Sequence, residues 1–100
     1  MKLHQKGFLL VTLCKSGGMW DYQMIEKVFE YYAESGDFKE KTLRIALDEL
    51  SAAGLIKRIE SKLETMNDKV KLLFKYQISD FGMSRMFDTG LLASVKVETD

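Results

Sequence analysis

Leu43-Arg44-Ile45-Ala46-Leu47-Asp48-Glu49-Leu50-Ser51-Ala52-Ala53-Gly54-Leu55-Ile56 decides the fold, because a helical rhythm of apolar residues stops there at a glycine. Leu43, Ala46, Leu47 and Leu50 recur at helical spacing and form one stripe. The opposite face carries Lys41, Arg44, Ile45, Asp48 and Ala52. Upstream, Asp37-Phe38-Lys39-Glu40 reads as a capping box with Asp37 in the cap position, so the helix is expected from Asp37 to about Ala53. Gly54 suits a left-handed stop, and Leu55 supplies the apolar contact that accompanies it. From Ile56 the period changes to two. Ile59, Ser61, Leu63 and Thr65 alternate with Arg58, Glu60, Lys62 and Glu64; Val70, Leu72, Phe74, Tyr76 and Ile78 alternate with Lys71, Leu73, Lys75 and Gln77. Asn67 and Asp68 tolerate the positive φ angles of a two-residue hairpin turn. That turn places Glu64 opposite Lys71 and Glu60 opposite Lys75, which predicts two cross-strand ion pairs.

Working outward, Leu3 to Ser16 reads as a mostly buried first helix closed by Gly17-Gly18. Asp21 is the expected N-cap of a second helix, about Tyr22 to Glu34, with Ile25, Val28, Phe29 and Tyr32 on its buried stripe and Ser35-Gly36 at its end. Beyond the hairpin, Ser79 caps a last helix from Asp80 to about Asp88. The domain spans residues 1–90. Residues 91–100, with Val95 and Val97 weakly alternating, are expected as a tail that is a short strand or partly disordered.

Composition narrows the function. One hundred residues make one domain, and 46% hydrophobic against 30% charged residues allow a real core. The longest near-apolar run, Phe8 to Cys14, is far too short to cross a bilayer, and no small-residue cleavage site follows it. One cysteine makes no internal disulfide and points to a cytoplasmic setting; with one histidine it makes no metal cage. No serine–histidine–carboxylate set and no phosphate loop can be assembled, so a non-enzyme without cofactor is expected. Fifteen basic residues balance fifteen acidic ones, but unevenly. Residues 57–75 hold Lys57, Arg58, Lys62, Lys69, Lys71 and Lys75 against Glu60, Glu64 and Asp68, whereas Glu26, Glu30 and Glu34 make an acidic row on the second helix.

The order helix, helix, helix, hairpin, helix resembles a winged helix-turn-helix, an α+β and mainly α class with a three-helix core, a β-hairpin wing and a C-terminal helix. Leu43 to Ile56 is similar to the recognition-helix segment of such regulators, which ends in L-x-x-x-G-L-I. Tyr76-Gln77-Ile78-Ser79-Asp80-Phe81-Gly82 resembles their post-wing Y-x-[LI]-[TS]-x-x-G. This is the pattern of MarR-like and PadR-like transcription factors, and it covers about residues 5–90.

The resemblance implies a sequence-specific DNA-binding transcriptional regulator, a homodimer on double-stranded DNA. Its third helix would enter the major groove through Lys39, Lys41, Thr42, Arg44 and Ile45. Lys57, Arg58, Lys62 and Lys69 would set the wing on the phosphate backbone, Lys71 and Lys75 being engaged by Glu64 and Glu60. The alternative is a winged-helix protein-interaction module that uses the same face without DNA. Arg44 and Lys41 stand opposite the buried stripe, so replacing either by alanine is expected to weaken DNA binding and leave the melting temperature nearly unchanged. Leu9, Leu10, Val11 and Leu13 almost encircle the first helix, and Phe81, Met83, Met86 and Phe87 crowd the last. This apolar surplus motivates the dimer. Trp20 is expected at a corner of the core and Cys14 as a packed small hydrophobe.

Overall fold

In the computed structural model, which describes residues 4–90, α1 (Gln5–Ser16) leads through β1 (Met19–Trp20) into α2 (Asp21–Tyr32) and α3 (Asp37–Ala52). The hairpin β2 (Ile56–Met66) and β3 (Lys69–Ile78) follows, then α4 (Asp80–Asp88). It is a mainly helical α+β fold, with a three-stranded antiparallel sheet in the order β1-β3-β2. The expected tail lies outside the described residues; the first helix begins at Gln5 and not at Leu3, because His4 is extended and caps it, its Nδ1 accepting from Lys6 N–H at 3.4 Å.

One core joins the layers. Leu9 and Leu13 of α1, Met24 and Val28 of α2, and Leu43, Leu47 and Leu50 of α3 pack with Ile56, Tyr76 and Met86. All four apolar residues of α1 read as surplus, Leu9, Leu10, Val11 and Leu13, are buried within the single chain. The surplus therefore survives only on α4, where Phe81, Met83 and Phe87 are exposed. Cys14 is half-buried, its Sγ 3.5 Å from Met83 Sδ.

The hairpin forms as its turn residues dictate. Asn67 (φ 52°) and Asp68 (φ 63°) both adopt left-handed backbone, and Glu64 lies opposite Lys71 and Glu60 opposite Lys75. Of the two expected ion pairs, Glu60–Lys75 closes at 3.3 Å. Lys71 instead extends to within 3.9 Å of Glu40, and Glu64 lies 3.6 Å from Lys62. A bulge between Arg58 and Glu60 bends β2 near its base.

The helix ends hold three corrections. Trp20, not Asp21, takes the N-cap position of α2, with its N–H donated to Gln23 Oε1 at 3.0 Å; Asp21 is the first helical residue and is buried. The helix stops at Tyr32 because Ala33 turns left-handed (φ 54°), before Ser35-Gly36 is reached. Gly36 (φ 109°) swings the chain into α3 one residue early, so Asp37 lies inside the first turn and the expected capping box does not form. Asp37 and Glu40 still place negative charge at the positive end of the helix dipole. The other stops are as expected. Gly54 is left-handed (φ 79°), with Leu55 N–H donated to Leu50 O at 3.0 Å, and Ser79 Oγ accepts from Gly82 N–H at 2.9 Å.

β1 is a finding the sequence reading lacked. Its two residues pair Met19 with Tyr76 and Trp20 with Lys75. The chain then turns into α2, and the Asp21 carboxylate takes the next available β3 donor, Phe74 N–H, at 3.2 Å.

Candidate functional site

The outward face of α3 lies exposed. Phe38 is 82% exposed and Ile45 59% exposed, and Lys41 stands between them without an ion pair among the described residues. Ile45 thus faces outward as its position opposite the buried stripe required. The sequence places Phe38 only within the cap motif; its spacing of seven residues from Ile45 is the signal that puts both on one face. Thr42 is half-buried and donates its hydroxyl proton to Phe38 O at 2.9 Å, which leaves its methyl for any outside contact. Further along the face, Asp48 and Glu49 are exposed acids.

Two of the expected reading residues are engaged within the chain. Lys39 lies 2.9 Å from Glu34 at the end of the acidic row. Arg44 turns inward: its Nη1 donates to Asp21 Oδ2 at 2.7 Å, and Nη2 lies 3.7 Å from Glu40. Asp21 is 2% exposed and also accepts from Tyr22 N–H at 2.7 Å and Phe74 N–H at 3.2 Å. A buried carboxylate needs such partners, because leaving water without them is costly. Arg44 is therefore the counter-ion that lets Asp21 tie α2, α3 and β3 together, and the expectation of a freely presented guanidinium is corrected.

The hairpin divides in the same way. Arg58 Nη2 contacts Asp48 Oδ1 at 2.6 Å, its Nε donates to Tyr76 Oη at 3.2 Å, and its guanidinium lies 4.0 Å over the Phe74 ring. The Tyr76 hydroxyl, opposed by a partial desolvation and helped by Asp48, raises the guanidinium's pKa further and holds it charged. Lys62 packs its ammonium 4.4 Å over the Trp20 ring and 3.5 Å from Tyr22 Oη. Desolvation pulls its pKa down, and the Tyr22 hydroxyl and Glu64 more than offset it, so the net direction is upward. Trp20 is accordingly half-buried, stacked on Tyr22 and capped by Lys62, rather than sealed in a core corner. Lys57 at the base and Lys69 at the tip are exposed, with no ion pair among the described residues. On the hairpin's outer half Leu63, Val70 and Leu72 are exposed apolar residues, Leu63 and Leu72 directly opposite each other.

Three of the expected contact lysines, Lys41, Lys57 and Lys69, are therefore exposed without an ion pair among the described residues, whereas Arg58 is engaged by Asp48, Tyr76 and Phe74. Such a surface can meet a polyanion or a protein. Among the described residues no cluster of three His, Cys, Asp or Glu side chains could hold a metal ion, and no helix is long and apolar enough to cross a membrane. Comparison of the sequence with protein-family models and with curated proteins returns no match.

Proposed function

We propose that the chain is a winged-helix module that binds duplex DNA as a transcriptional regulator, with α3 in the major groove and the hairpin along the phosphate backbone. One observation carries this reading: the N-terminal half of α3 presents Lys41, Thr42 and Ile45 outward, beside a long hairpin ending in Lys69. A helix so presented is the element that fits the groove, and a cationic ribbon beside it is the element that fits phosphate. The third helix packs on two others and is followed by the hairpin and a capping helix, which is the order such a module requires. Lys41 and Ile45 are the reading residues of this proposal, and Lys57 and Lys69 are its phosphate contacts. With so few cations per chain, affinity depends on two copies joined through the exposed α4 face.

The test is selection of duplexes from a random library, followed by fluorescence anisotropy across a salt series. Enrichment of a two-fold symmetric site is expected. For Lys69→Ala the slope of log K against log salt should become shallower by about 0.9 for each copy bound. Failure to retain any duplex at low salt ends the DNA reading.

A specific observation favours a second reading, docking of another protein on the same face. Phe38 and Ile45 form an exposed apolar pair on α3. Phe38→Ser decides between them. Loss of a captured protein partner with DNA retention unchanged would select docking; an unchanged surface affinity for proteins with altered DNA binding would select the regulator.

A further inference from the structure

Beyond Phe74, the edge of β3 that faces away from β2 is open. Phe74 fixes the direction of its backbone groups, because its N–H leaves the hairpin to reach Asp21 Oδ2 at 3.2 Å. In an antiparallel ladder every second residue shares that direction, so Leu72 and Val70 also turn their N–H and C=O groups outward. Among the described residues no strand or side chain meets them. The free edge of β2 is a different case. The bulge between Arg58 and Glu60 interrupts it, and its side chains carry both signs of charge.

Side-chain chemistry narrows the occupant of the β3 edge. Lys69 and Lys71 share one face of the strand; Val70 and Leu72 share the other and are exposed, beside exposed Leu63. No acid occurs between Lys69 and Ile78. Lys69 has no ion pair among the described residues, and Lys71 makes a long surface contact with Glu40 at 3.9 Å, which holds it weakly. Lysines on an edge guard it against copies of the same chain. Here every two-fold register that joins the outward residues opposes two of them. Centred on Val70 it sets Lys69 against Lys71, centred on Lys71 it sets that residue against itself, and centred on Leu72 it sets Lys69 against Lys75. The guard does not account for Val70, Leu72 and Leu63, which stay exposed beside it. A strand of alternating acidic and aliphatic residues answers both faces and the open backbone together. We infer that the β3 edge takes up an extended acidic segment of another protein, with carboxylates opposite Lys69 and Lys71 and aliphatic side chains opposite Val70 and Leu72. The inference does not rest on DNA binding, with which it shares only Lys69.

The experiment is a titration of the isotope-labelled full chain with the capped heptapeptide TEVEVET, with TQVQVQT and TKVKVKT as neutral and basic companions. The amide resonances of Val70 and Leu72 report the edge. TEVEVET should shift both to saturation with a Kd on the order of 1 mM or tighter, at least about tenfold below that of TKVKVKT. Leu72→Pro removes an outward N–H and no bond to β2, so it should abolish saturation in a folded chain. Lys69→Glu supplies an arm that leaves the backbone intact, and it should erase the preference for the acidic peptide. Absence of saturation, equal affinity for all three peptides, or shifts confined to α3 would overturn the inference. So would Val70 and Leu72 resonances that move with protein concentration alone, which would assign the edge to a second copy.

Discussion

Asp21 shows how much one residue can organise. Its carboxylate accepts from three donors on three elements, and the donor at Arg44 carries the neutralising charge. Asp21→Ala should therefore cost about 3 kcal/mol in urea unfolding, since it strands a partly buried guanidinium and the Phe74 N–H. Arg44→Ala should lower the melting temperature clearly, against the sequence expectation of little change, because it leaves Asp21 buried without its counter-ion. Lys41→Ala, on the exposed face, should leave the melting temperature within error. The two melting curves separate positioning from presentation. Tyr76 adds a pH dependence. Burial raises its hydroxyl pKa, and the hydrogen bond from Arg58 only partly offsets this. A raised value in the folded state means that the neutral phenol is the stabilised form. Its contribution is fully present below the ordinary tyrosine pKa and is lost as pH rises through the folded value. An ultraviolet absorbance titration should show at least one tyrosine ionising above the ordinary value, with stability falling as it does.

At the scale of elements, two positions report on how helices are stopped and seated. Ala33 ends α2 in left-handed backbone, which a Cβ resists, so Ala33→Gly should stabilise the protein by roughly 0.5–1 kcal/mol in the same unfolding assay. Gly82 is the opposite case. A Cβ there would lie 2.0 Å from Leu55 O, in the carbonyl that also accepts from Ser79 N–H, and backbone cannot give way as a side chain can. Gly82→Ala should cost about 3 kcal/mol by lifting α4 from the end of α3. This is the physical content of the glycine in the post-hairpin motif. These elements also mark what could be read in advance. The α3 stop at Gly54, the Asn67-Asp68 turn, the strand register and the Ser79 cap all depend on residues within a few positions of one another, and they were legible. The roles of Asp21 and Arg44 depend on partners 23 and 53 positions away, which no local period reports. β1 escaped because two residues are too few to display any period. The engaged state of Arg58 and Lys62 escaped for the same reason as Arg44: a charge on an outward-facing position says nothing about which neighbour bends back to meet it.

For the whole molecule, the exposed Phe81, Met83 and Phe87 on α4 set the expectation for assembly. Sedimentation equilibrium at micromolar concentration should give a mass twice 11.5 kDa, and Phe87→Glu should return it to 11.5 kDa. A single-chain mass at every concentration would remove the two-copy arrangement on which the DNA proposal relies. Truncation after Thr89 localises the contact, since a dimer that survives it is built on helices. A last consequence comes from the brevity of β1. On the edge of β3 away from β2, support comes at Tyr76, Lys75 and, through Asp21, Phe74; beyond that point no strand flanks this edge among the described residues. Amide hydrogen exchange should therefore run as a gradient, slow at Tyr76 and progressively faster through Leu72 and Val70 toward Lys69. Mechanically, Asp21 is a fulcrum. On one side of it the ribbon is stiff and moves with the helices; on the other it is compliant, and its tip can follow a curved surface while α3 keeps its own seat.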